Sequence, residues 1–359
     1  MKGLRKYLTP FAPDQSGAVS VLYELGGMLV ICDAGGCTGN VCGFDEPRWF
    51  ETRSAVFSAG LRDMDAILGR DDRLVAKLAD AAEKLDVTFA AVIGTPVPAV
   101  IGTDYRALER MLSKKTDLSV LTVNTDGMEL YDKGEEKAYL ALFEKFSDKN
   151  EESEDMNDKD RPRIGIIGMT PQDVSDLKAA DKIRKVYADQ GMLAICYGMG
   201  DGLDEVRNAS LAAKNVVVSP AALKAAQYLQ KKFGTPYEIS YPLASELVPE
   251  VNYQGKKILI VQQQVIANAV RKEIEKRTGE KEAITTATWF MRKEEILTDL
   301  NVDAADDISL KEEDDFISLV EKEGYDVIFA DPCMERMIPG FEGVFIPLTH
   351  FAVSGKLNV

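Results

Sequence analysis

Short apolar runs alternate with amphipathic stretches along almost the whole chain. FAAVIGTP (89–96) and LSVLTVN (118–124) read as buried strands, each closed by Gly, Thr, Asn or Pro. AILGRDDRLVAKLADAAEKL (66–85) carries apolar residues at helical spacing and predicts a helix. RIGIIGMT (163–170), MLAICYGMG (192–200) and NVVVSP (215–220) predict three further strands, with helices over 173–190, over 203–213 and beyond 220. A third series opens at KKILIVQQQ (256–264), continues through a helix over 265–277, and returns in YDVIFADPC (325–333) and GVFIPLTH (343–350). Strand–helix repeats of this kind build parallel sheets covered by helices, so the pattern predicts an α/β chain of small Rossmann-like units. SDKNEESEDMNDKDRPR (147–163) is charged and almost without apolar residues, and reads as an exposed linker. The expected domains are therefore 1–160, 161–250 and 251–359. The acidic runs at 151–160 and 311–315 read as solvated surface. In open sheets ligands gather outside the carboxyl ends of the strands, which places the turns at 168–170 and 198–202, together with Ser219, Cys333 and His350, where a ligand is expected.

The 359 residues suffice for two or three domains, and 45% hydrophobic content is that of a globular protein. No run approaches the roughly 20 apolar residues of a membrane helix, and MKGLRKYLTPF lacks the apolar core of a signal peptide. A cytoplasmic location is expected. A net charge of −16 argues against a nucleic-acid backbone or an anionic membrane as partner, and leaves room for a protein with a basic docking face.

Five cysteines, odd in number and clustered, fit a reducing compartment in which thiols serve chemistry. Three of them, Cys32, Cys37 and Cys42, share the stretch ICDAGGCTGNVCGFDEP. Thiols this dense point to a metal or iron–sulfur cluster, and Gly35, Gly36, Gly39 and Gly43 would let backbone amides approach cluster sulfides. The spacing is not a CxxC pair. With no nearby histidine, a zinc site would lack a fourth ligand unless Asp33, Asp45 or a second chain supplied it. Three inert thiols in a packed loop are the alternative. Arg48, Trp49 and Arg53 follow and would line an electron path, contact a partner, or simply begin a helix. Cys196, in mid-strand, reads as buried and inert.

The order of these motifs resembles the nitrogenase component 1 superfamily. The resemblance lies in the succession of Rossmann-like units, the GGC turn after the first apolar run, and GTPVPAVIGTD after a strand. RDMDAILGRDDRLVAKL (62–78), VNTDGM (123–128), GMGDGLDEV (198–206) and KKFGTPYEISYPL (231–243) add to it, and it extends over essentially the whole chain. That family comprises nitrogenases, their cofactor-assembly scaffolds, and tetrapyrrole reductases such as dark-operative protochlorophyllide reductase and nickel-sirohydrochlorin reductive cyclase. Its catalytic members take electrons from an ATP-hydrolysing iron protein. The resemblance implies an α/β fold of three Rossmann-like domains with mostly parallel sheets. It further implies an iron–sulfur cluster of [4Fe-4S] type, an ATP-dependent iron protein as partner, and a homodimer. A substrate, a second metallocofactor or a tetrapyrrole would occupy an interdomain cavity.

Residue by residue, Cys37 matches the family's central cluster cysteine, while Phe11 and Thr95 stand where two others are usual. Cys32 and Cys42 flank Cys37 instead, so a cluster would be held within one loop per chain or shared between two loops across a two-fold axis. His350, the only histidine, matches a cofactor-binding histidine; Ser219 replaces the accompanying cysteine ligand, and Glu135 falls near a proton-delivering histidine. Cys333, after an Asp-Pro pair, would replace the lost ligand. These departures argue against dinitrogen reduction. They leave a nitrogenase-like reductase of another molecule, with His350 as axial ligand or proton donor, Glu135 as acid and Ser219 beside them. The alternatives are a metallocofactor scaffold or carrier without turnover, and a zinc-thiolate module.

Overall fold

The aliphatic runs form strands that are buried on both faces, as parallel sheets require. The computed structural model describes residues 5–149, 161–279 and 283–357; positions 150–160 of the expected acidic linker lie outside the described residues. The first sheet contains β1 (Met28–Ile31), β2 (Ala55–Ser58), β3 (Phe89–Ile93) and β4 (Ser119–Val123), in the order β2-β1-β3-β4. The second contains β5 (Arg163–Ile167), β6 (Leu193–Tyr197), β7 (Ala212–Val217) and β8 (Tyr237–Ile239), in the order β6-β5-β7-β8. The third contains β9 (Lys257–Val261), β10 (Ala283–Thr288), β11 (Asp307–Ser309), β12 (Val327–Ala330) and β13 (Val344–Pro347), in the order β11-β10-β9-β12-β13. Every pairing within these sheets is parallel.

Several predicted helices are shorter than their apolar period. The helix expected over 66–85 is two, Asp63–Leu68 and Asp71–Ala82, because Gly69 takes the left-handed conformation (φ 60°) that ends the first. The one expected over 173–190 is interrupted at Ser175 (φ 57°), leaving Pro171–Val174 and Ala179–Ala188. The one expected over 203–213 stops at Arg207, and β7 begins at Ala212, earlier than the apolar run suggests. Gln264–Thr278 follows the expected course.

Two helices hold the three sheets together. Asp14–Leu22 is buried at every position, and it crosses Tyr131–Phe146 at a distance only glycine allows. A Cβ on Gly17 would lie 1.9 Å from the Tyr131 carbonyl oxygen, and one on Gly134 would lie 1.7 Å from that of Asp14. Tyr139, Leu142 and Phe143 then share one core with Ile195, Tyr197, Leu203 and Leu223 of the second sheet unit. Each such fully buried large side chain contributes about 1.5–3 kcal/mol. The chain start reaches the third unit, where the amides of Lys6, Tyr7 and Leu8 donate to the Glu313 carboxylate.

Candidate functional site: a thiol loop and a buried acid–histidine junction

Strand alternation separates the three clustered cysteines. Met28, Val30 and Cys32 point into the core that contains Leu74, Leu78, Leu108 and Leu112. Leu29 and Ile31 point into the opposite core, and it is on this one that Cys37 packs. Cys32 is buried, its amide donates to the Ile93 carbonyl (2.8 Å), and its carbonyl accepts from Thr95 Oγ1 (2.6 Å). Burial, then the Asp33 and Asp71 carboxylates, push its thiol up to about 12. Cys32 and Cys37 therefore pack on different cores.

Cys37 and Cys42 occupy a different setting. Gly35 (φ 118°) turns the chain into the helix Gly36–Asn40, which runs on as a π-helical turn, Val41–Asp45, and a 3-10 turn, Pro47–Phe50. The Asp33 carboxylate pins its start, accepting from the Thr38 amide (2.8 Å), Thr38 Oγ1 (3.0 Å) and Ser58 Oγ (2.6 Å). Arg48 pins its end. Its guanidinium, buried, donates to Glu46, Glu24, the Ser20 carbonyl and the Gly198 carbonyl of the second unit. Burial opposes that charge, and the Glu46 and Glu24 carboxylates overcome it and raise its pKa. Cys37 and Cys42 are half-buried, and a Cβ on Gly36, Gly39 or Gly43 would meet nothing within 4 Å. Burial and then Asp33 raise the Cys37 thiol; burial, then Glu46 and Asp33, raise that of Cys42.

Among the described residues no three His, Cys, Asp or Glu side chains are placed to hold a metal ion. A [4Fe-4S] cluster takes four thiolates as a rule. One chain offers the half-buried Cys37 and Cys42 on this loop, so the residues do not fit a cluster enclosed by a single loop.

His350 and Glu135 lie in one buried cluster where the three units meet. Tyr131 and Glu135 stand one turn apart on the helix Tyr131–Phe146. Tyr131 Oη donates to Asp173 Oδ1 (2.5 Å) and lies 3.3 Å from His350 Nε2, which is itself 3.6 Å from Asp173 Oδ1. Thr170 Oγ1 donates to Glu135 Oε1 (2.6 Å). Phe290 packs edge-on against the His350 ring at 5.1 Å. Burial first, and the Asp173 charge second, hold the Glu135 carboxyl well above the usual range, which favours its protonated form.

Two predicted residues stand outside this cluster. The Ser219 hydroxyl accepts from the Ala221 amide (3.3 Å), capping the turn Pro220–Ala222. Cys333, half-buried against the third core, meets His350 only through Asp331, whose carboxylate accepts from both backbone amides (2.9 Å each). Burial and then Asp331 raise the Cys333 thiol. Thr170 lies in the 168–170 turn where a ligand is expected from the sequence; Tyr131 and Asp173 escaped, although Asp173 also follows the carboxyl end of β5.

Asp132, beside this cluster, gives the fold a pH dependence. Its buried carboxylate accepts from the Met291 (2.6 Å) and Lys133 (2.9 Å) amides, yet burial outweighs both and pushes it up to about 6. The fold prefers the protonated acid, so this contribution is complete below the ordinary value of 3.8 and is lost as pH rises through 6. A rise of that size corresponds to about 3 kcal/mol. Denaturant midpoints across this window are expected to fall in the wild type and to fall by less in Asp132→Asn; parallel profiles would refute the assignment.

An α/β protein of three parallel sheets, with a half-exposed thiol pair on one loop and an acid–histidine cluster at the junction, is thus defined. Residues 14–244 match the family model described as Nitrogenase component 1 type Oxidoreductase, and the chain belongs to that family. The solved structure "Nitrogenase Cp1 at pH 6.5" superposes with a TM-score of 0.70 at 12% identity, over 97% of this chain and 87% of that chain. "Nitrogenase Cp1 at pH 5" gives 0.70 at 15%, over 98% and 85%. At these identities the likeness shows the shared fold, which is the three-unit parallel α/β architecture expected from the sequence. No curated protein matches. Among the described residues no helix is long and apolar enough to cross a membrane.

Proposed function

We propose that this protein is a cytoplasmic, homodimeric nitrogenase-like reductase that takes electrons from an ATP-dependent iron protein. Two copies would bring their thiol loops together, and Cys37 and Cys42 of each would hold one bridging [4Fe-4S] cluster. When bound, such a cluster supplies one-electron transfer. The observation that carries the reading is the half-exposed Cys37/Cys42 pair on an open loop, half of a ligand set within a family of oxidoreductases. Phe44 and Phe50, 76% and 77% exposed on the same loop, favour a second copy as its cover. Ile67 and Leu68 of one helix and Val100 and Ile101 of a second that touches it are also exposed.

At the junction, burial and the Asp173 charge favour the protonated form of Glu135, and His350 sits against Tyr131 and Asp173; the two serve as proton donors to a small-molecule or tetrapyrrole-type substrate. Loss of the cysteine ligand at Ser219 speaks against dinitrogen as that substrate. Glu135, His350 and Asp173 are all closed from solvent, so admission requires the units to part there. That closure is also what favours a second reading, a scaffold that carries a metallocofactor without turning over a substrate.

Anaerobic reconstitution with iron and sulfide, followed by size-exclusion with light scattering and electron paramagnetic resonance after dithionite, tests the proposal. About four irons per dimer, none in the monomer, and a reduced-cluster signal are expected. Iron-free protein, iron in the monomer, or zinc in its place overturns it.

A further inference from the structure

The polar groups at the junction continue to the surface. Gln172 is 0% exposed and adjoins Asp173 in sequence; its Nε2 donates to the Asp45 carbonyl on the thiol loop (2.5 Å). The Asp45 carboxylate, half-buried, accepts from Ser16 Oγ (2.7 Å) and from Nδ2 of the exposed Asn40 (2.5 Å). Three buried acceptors receive no hydrogen bond from any described residue: Gln172 Oε1, Asp173 Oδ2 and Glu135 Oε2. Their side chains are 0%, 2% and 0% exposed.

Buried oxygens without donors are costly and are met by bound water or by a held proton. Local cations do not serve. Arg48, whose charge reaches Glu135, is committed to Glu46 and Glu24, and Lys293 is paired with Glu136. Asp132, the remaining acid beside Glu135 on the same helix, is occupied by two backbone amides.

We propose that Asp45, Gln172 and Asp173 form a proton inlet from the surface of the thiol loop to Glu135, with water bridging the unpartnered oxygens. A proton leaves bulk water for the Asp45 carboxylate, passes along water held by Gln172 Oε1 to Asp173, and reaches Glu135. When Glu135 gives its proton to a base at the junction it becomes a carboxylate, and one proton through the inlet restores the acid. No electron moves along this path, and only O–H bonds form and break. The purpose of the proton rests on the reductase reading; the path itself does not.

The test uses the full chain without iron, transferred into D2O at neutral pH and followed by infrared spectroscopy. A protonated-carboxyl band that Glu135→Gln removes is expected, and it should shift as deuterium arrives. Asp45→Asn should slow that shift by at least about tenfold, a barrier increase of ~1.4 kcal/mol, with the band and the melting temperature retained. Gln172→Met should do the same from the other end, and serves as the second variant should either lose its fold. Absence of the Glu135 band in the wild type overturns the inlet, as does exchange in folded Asp45→Asn at the wild-type rate. Slowed exchange in protein that fails to take up iron would leave the inlet standing without the reductase reading; unchanged exchange in iron-loaded dimers would do the reverse.

Discussion

Gly134→Ala is expected to destabilise the fold by about 3 kcal/mol or more, although alanine is the better helix former by about 1 kcal/mol. On an exposed helix the substitution would help. Here the added Cβ falls 1.7 Å from the Asp14 carbonyl oxygen and 2.5 Å from its carbon, and these are backbone atoms that no rotamer change can move. The helices Asp14–Leu22 and Tyr131–Phe146 must then separate, and the second carries Tyr131, Asp132 and Glu135 on either side of position 134. The substitution should therefore disturb the junction as well as stability. Gly39→Ala, in the thiol loop, provides the control, since its Cβ meets nothing within 4 Å. Denaturant midpoints that fall equally for the two variants would show that helix crossing is not what the glycine protects.

The apolar runs foretold β3 to β7, β9, β12 and β13, whereas the buried β1, only four residues long, and β10, with three threonines among its six residues, gave no strand prediction. Edge strands such as β2 and β11 escaped, being short and only partly buried, with little hydrophobic signal. The break at Gly69 was legible as glycine; the one at Ser175 was not, because a left-handed serine is imposed by its surroundings, among them the Phe351 amide that donates to its hydroxyl (2.6 Å). Cys32 is instructive in another way. Its alternation with Met28 and Val30 already assigned it to the far face of β1, but the even spacing of the cysteines suggested convergence. Tyr131 could be found from Glu135 by counting back one helical turn. Asp173 could not, since its contact with Tyr131 and His350 exists only once three units, far apart in sequence, have met.

The three clustered cysteines are expected to divide on mutation, with the largest effect on iron. Cys37→Ala and Cys42→Ala should each abolish iron retention in reconstituted protein and change the stability of the iron-free chain little, because both thiols are half-buried on an open loop. Cys32→Ala should show the opposite pattern. It removes a buried sulfur from a core of leucines and valines, at a cost of about 1–2 kcal/mol, and leaves iron in place. Recruiting Cys32 to a cluster would require the end of β1 to rotate, breaking the bonds from its amide to Ile93 (2.8 Å) and from Thr95 to its carbonyl (2.6 Å). Each is worth about 1 kcal/mol, and more if a partner stays buried and unpaired. Metal-ligand bonds are strong enough to drive such a change, so the experiment discriminates. Iron lost from a folded Cys32→Ala dimer would mean that the residue following β1 turns out of its core when the cluster forms. Iron retained there, and lost only with Cys37 or Cys42, would leave two thiolates per chain and a cluster that neither chain can hold alone.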